Sequence, residues 1–82
     1  MVETIILTIQ YNDQAADFEL PASVKIKDWI TPLQSALRNS FYGIRLQNKK
    51  IQLYYENQLL REDESLLNYG IYDGSILVMV LQ

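Results

Sequence analysis

The segment "SILVMVLQ" near the C-terminus constrains this chain more than any other. Ile76 to Leu81 form an unbroken apolar run between Ser75 and Gln82, the pattern of a β-strand that is apolar on both faces. A strand with one wetted face alternates apolar and polar residues instead. The chain must therefore cover both sides of this strand, or leave one apolar side for another molecule to cover.

Periodicity shows what is available to do the covering. "ETIILTIQ" alternates, with Ile5, Leu7 and Ile9 on one side and Ile6, Thr8 and Gln10 on the other. "YNDQ" is turn chemistry, because Asn and Asp tolerate tight backbone conformations. "AADFEL" resumes the alternation, with Ala16, Phe18 and Leu20 facing in and Asp17 and Glu19 facing out. Two alternating runs about a turn predict a β-hairpin. After Pro21 the period lengthens. Ile26, Ile30, Leu33 and Leu37 mark one face of a helix, widened by Trp29 and Ala36. Pro32 lies within this stripe, where a missing N–H and a bulky ring cost up to about 3 kcal/mol. The spacing predicts one kinked helix from near Ile26. A regular helix starting at Thr31, with Pro32 in its first turn and Gln34 closing a capping box, is the alternative.

Downstream, "NSFYGIRLQNKK" reads as a loop and "IQLYYE" as a third strand, in which adjacent Tyr54 and Tyr55 break strict alternation. Asn57 marks a turn into a short strand, "QLL". "REDE" is a charged loop, "SLLNYG" a single helical turn closed by Gly70, and "YDG" a turn before the final strand. Only one helical stripe is present. The economical packing is an α+β roll over residues 1–82, one domain with a mixed sheet and a helix across one face.

Composition narrows the chemistry. At 49% hydrophobic, the chain lies well above the disordered range. It has no cysteine and no histidine, so disulfides, thiolate metal sites, a cysteine nucleophile and the commonest general base are absent. The run Glu62-Asp63-Glu64 lacks the spacing of a calcium loop and reads as carboxylates facing water. Asp73-Gly74 before a strand is a turn, not a phosphate loop. No catalytic, metal or cofactor residue is expected, and the chain does not read as an enzyme. A net charge of −3 argues against nucleic acid as the main partner. The basic concentration at Arg38, Arg45, Lys49 and Lys50 reads as a solvated patch. Neither a basic-plus-apolar leader nor a run near the ~20 apolar residues of a membrane span is present. A cytoplasmic protein without direct membrane insertion is expected.

The element order, with Leu60, Leu66, Tyr69 and Ile71 in the pattern L-x-x-x-x-x-L-x-x-Y-x-I, resembles ubiquitin. Within that fold the chain is more similar to the small YukD/EsaB family of bacterial type VII (Ess) secretion loci. The shared features are the Ile26-Lys27 entry to the helix, Gln58-Leu59-Leu60, and an ending that contains Tyr69, Ile71, Asp73, Gly74 and Leu77. The chain departs at Ser75, where the family often has Asp, and at Lys25, where Pro is frequent. The resemblance implies a ubiquitin-like β-grasp roll with Leu77 and Met79 turned toward the helix. It also implies that the Tyr69 hydroxyl ties down the backbone near Arg61 and Glu62. In function it implies a non-conjugating accessory protein that binds protein components of the secretion machinery. Ubiquitin-like modifiers and sulfur carriers react through a Gly-Gly tail. The glycines here are Gly43, Gly70 and Gly74, so conjugation is expected only if the natural chain continues beyond Gln82.

With Leu77 and Met79 inward, Ile76, Val78 and Val80 point to the outer sheet face, where Ile6, Thr8 and Tyr54 are expected to join them. Exposing such side chains forgoes about 1.5 kcal/mol or more of burial each, and a contiguous patch of them commonly marks an interface. Ubiquitin uses the corresponding face to recognise partners. These six residues form the expected protein-interaction surface. The other readings are incidental exposure of good strand formers, and a structural homodimer through the final strand.

Overall fold

In the computed structural model, which describes residues 3–82, the strands are β1 (Thr4–Tyr11), β2 (Gln14–Pro21), β3 (Ile51–Tyr55), β4 (Gln58–Leu59) and β5 (Ile76–Leu81). One helix, α1 (Ile26–Ser40), follows β2, and a 3₁₀ turn (Leu67–Tyr69) precedes β5. The sheet order is β2-β1-β5-β3-β4. β1 pairs antiparallel with β2 and parallel with β5, while β3 is antiparallel to both β5 and β4. This is the expected mixed sheet with one helix.

Local chemistry sets the turns. Tyr11 pairs with Gln14 across a two-residue turn in which Asn12 takes φ 54°. Between β3 and β4, Glu56 and Asn57 both have positive φ, at 50° and 67°. That is the sign pattern of a type I′ turn, whose twist matches that of the strands it joins.

The alternation expected for the strands is present. Ile5, Leu7 and Ile9 of β1, Phe18 and Leu20 of β2, Leu53 of β3 and Leu77 and Met79 of β5 share one core with Ile26, Trp29, Leu33 and Leu37 of α1. Ile30 and Ala36 are half-buried flanks of the helical stripe. Trp29, at the edge of the helical stripe, is itself buried, because its indole N–H donates to the Val24 carbonyl at 3.1 Å and the ring is then free to be buried. The loop after α1 is anchored by Phe41 and Leu46, both buried, with the Phe41 ring 5.8 Å from the rings of Tyr11 and of Phe18.

Helix α1 begins at Ile26 and runs through Pro32, so Thr31 is not its cap. The residue at the cap position, Lys25, makes no side-chain hydrogen bond. The charged loop does the capping instead. The N–H groups of Ile26 and Lys27 donate to the carbonyls of Glu64 and Glu62 at 3.0 and 2.9 Å. Those first N–H groups have no partner within any helix, and the loop backbone satisfies them. Tyr69 holds the same loop from its other side. The Arg61 N–H donates to the Tyr69 hydroxyl at 2.9 Å, as the family resemblance implied. Gly70, at φ 70°, closes the turn with its N–H on the Leu67 carbonyl.

Two stability predictions follow from this geometry. Pro32 is exposed and only removes a backbone bond from α1, so Pro32→Ala is expected to raise stability by roughly 1–3 kcal/mol in urea denaturation. Tyr69→Phe leaves the Arg61 N–H without its partner, and a loss of about 1 kcal/mol in the same assay is expected.

Candidate protein interface on the outer sheet face

The single helix covers one side of the sheet, and the pairing register shows what the other side carries. Directly opposed residues of neighbouring strands share a face. Val78 is opposite Gln10 on β1 and Tyr54 on β3, and Tyr54 is opposite Leu59 on β4. Ile76 is opposite Thr8, and Val80 is opposite Gln52. All six residues expected from sequence therefore sit on one face. Ile6 is 54% exposed, Ile76 51%, Val78 44% and Val80 38%. Thr8 and Tyr54 are half-buried among them.

Leu59, 45% exposed, extends the apolar band to the β4 edge and was not anticipated. The signal was present in "QLL": with Leu60 in the core, its neighbour Leu59 must point the other way.

The β2 margin of this face is acidic. Asp17 lies opposite Thr8 and Glu19 opposite Ile6. The Thr8 hydroxyl donates to Asp17 Oδ1 at 2.7 Å, and the Thr4 hydroxyl to Glu19 Oε2 at 3.2 Å. Below the band, the Asp73 carboxylate accepts the Ile6 N–H at 2.8 Å and the Gly74 N–H donates to the Ile6 carbonyl at 2.9 Å. The Asp-Gly turn thus finishes the β1 ladder where β5 has not yet begun. Ser75, at a position where the related family often has Asp, accepts the Tyr72 N–H on its own hydroxyl at 3.1 Å. A serine is sufficient to brace this turn.

The remaining charged groups behave as solvated surface. Glu62 pairs with Lys50 at 3.7 Å and Asp63 with Arg61 at 3.3 Å, while Glu64 accepts from the Asn68 amide. Arg38, Arg45 and Lys49 border a shallow, open groove with Ile44 and Leu46. Among the described residues, His, Cys, Asp and Glu form no group of three that could hold a metal ion. No helix among them is long and apolar enough to cross a membrane.

A β-grasp roll with one helix on a five-stranded mixed sheet defines a ubiquitin-like protein, and comparison with solved structures agrees. The EccD5 ubiquitin-like domain from Mycobacterium xenopi superposes with a TM-score of 0.77 at 22% identity, covering 98% of this chain and 96% of that domain. The ubiquitin-like domain of the Mycobacterium tuberculosis type VII secretion system protein ECCD1 gives 0.71 at 26% identity, over 95% and 98% of the two chains. The family model described as WXG100 protein secretion system (Wss), protein YukD, matches residues 4–79, and this chain belongs to that family. The type VII secretion system accessory factor EsaB of Staphylococcus aureus (strain Newman) is 33% identical over 70 residues, 85% of this chain and 84% of that protein.

The two faces of β5 give a direct test of the geometry. Val78→Lys places a cation on the exposed side and is expected to change stability by less than about 1 kcal/mol. Leu77→Lys puts the same charge in the fully buried core and is expected to cost about 4 kcal/mol or more, enough to unfold much of the protein by circular dichroism.

Proposed function

We propose that this protein is a non-conjugating ubiquitin-like accessory protein of a bacterial type VII secretion system, acting in the cytoplasm by binding protein components of the machinery through its outer sheet face. The observation that carries this reading is the apolar band of Ile6, Ile76, Val78 and Val80, which no element among the described residues covers. Family membership and the naming of the EsaB relative as an accessory factor support the cellular role. The ubiquitin-like domain of the Mycobacterium tuberculosis type VII secretion system protein ECCD1 supports the pairing of this fold with that kind of machinery.

Binding supplies what the isolated fold lacks. A partner that removes the band from water gains about 25 cal/mol for each Å² of apolar surface covered. Strands already ordered by the core lose little further backbone entropy on docking, which removes one of the costs of association. The protein works in this reading by being held, with no bond made or broken. Modification and sulfur transfer, the other chemistry associated with this fold, draw no support from the EsaB relative.

The test is complementation of a strain lacking the protein. Val78→Lys, accumulated to wild-type level and folded by its amide NMR spectrum, is expected to reduce export of type VII substrates by about tenfold or more, the effect of losing roughly 1.4 kcal/mol of binding. Wild-type export with the folded variant would overturn the role of this face.

A further inference from the structure

We infer that the partner of the outer sheet face is an amphipathic protein segment carrying lysine or arginine along the flank that lies over β2. This rests on the reading above, that the face is a protein interface, and names the chemistry of what occupies it.

The argument is charge complementarity. The five strands contain only two charged residues, Asp17 and Glu19, and both belong to β2. Both lie on the outer face, exposed, opposite Thr8 and Ile6. Neither has an ion pair among the described residues, where the salt bridges join Lys50 to Glu62 and Arg61 to Asp63. Their recorded side-chain partners are the hydroxyls of Thr8 and Thr4, which orient the carboxylates without neutralising them. All seven Lys and Arg residues of the chain lie outside the strands. The face therefore has an apolar centre on β5 and β1 and an acidic margin one strand away.

Size fits one segment across that surface. Neighbouring strands are about 4.8 Å apart, so β2 lies roughly 10 Å from β5. A helix is about 10–12 Å across with its side chains. Laid along β5 and β1 with its apolar ridge down, it presents one flank to Asp17 and Glu19. Cations on that flank would meet the carboxylates, and acidic residues there would be repelled.

The same charges exclude two other occupants. A second copy stacked face to face brings Asp17 and Glu19 of both copies to an interface with no cation on either sheet. An anionic lipid surface is repelled by the same margin.

The experiment places a photoreactive benzoylphenylalanine at Gln10, an exposed outer-face position opposite Val78, and crosslinks the full chain in cells that carry the secretion system. The crosslinked peptide is sequenced by mass spectrometry. An apolar peptide flanked by Lys or Arg is expected, from a chain other than this one. The isosteric pair Asp17→Asn and Glu19→Gln is expected to lower its yield about fivefold to tenfold, and raising the salt concentration is expected to act in the same direction. A second copy of this chain, a peptide without cations, or a yield unchanged by the amide pair would overturn the inference. Loss of the crosslink in Val78→Lys alone would then leave the interface reading standing. A crosslink indifferent to Val78→Lys as well would remove both.

Discussion

The burial of α1 against the inner residues of β1 and β5 is the contact on which the other features depend. Leu37, Ile9 and Leu77 are fully excluded from water, and the strands reach this state by alternation. Alternation also dictates that every inward residue of β5 has an outward neighbour. In most strands the outward neighbours are polar and the matter ends there. In β5 they are Ile76, Val78 and Val80, so the packing that stabilises one side creates the apolar band on the other.

A second dependency links the helix to the later part of the chain. The backbone carbonyls of Glu62 and Glu64 cap α1, and Tyr69 holds the preceding Arg61 in place. The charge of this loop is incidental to that work, which is done by the main chain. The acidic run is thus a helix cap through its backbone, while its side chains face water or neighbouring cations. The β-hairpin at β3 and β4 makes a similar point. Glu56 adopts a left-handed conformation that favours Asn or Gly, held there by the pairing of Tyr55 with Gln58 on either side of the turn.

Much of this was legible in the sequence because period and face are local properties. The change from alternation in β1 and β2 to the helical stripe in α1 located both elements, and the run Ile76 to Leu81 identified the strand with two apolar sides. The pattern around Leu60, Leu66, Tyr69 and Ile71 carried the ubiquitin-like arrangement, down to the hydroxyl of Tyr69. Features that arise between distant segments were not legible. Capping of Ile26 by Glu64 and of Lys27 by Glu62 depends on which backbones approach in space. The acidic margin was visible only as two outward residues of β2, and its place beside the apolar band required the strand order.

That strand order also bears on how the protein is made. β5 alone joins β1 to β3, so the halves β2-β1 and β3-β4 have no shared ladder until it is in place. Translation delivers it last among the strands. At roughly 5–20 residues per second, the amphipathic hairpin and helix wait for seconds before β5 is there to pair with β1. Folding is then completed by one insertion event between two preformed edges. A nascent chain stalled before Ile76 lacks the strand that joins the two hairpins, and presents quality-control factors with open sheet edges on β1 and β3.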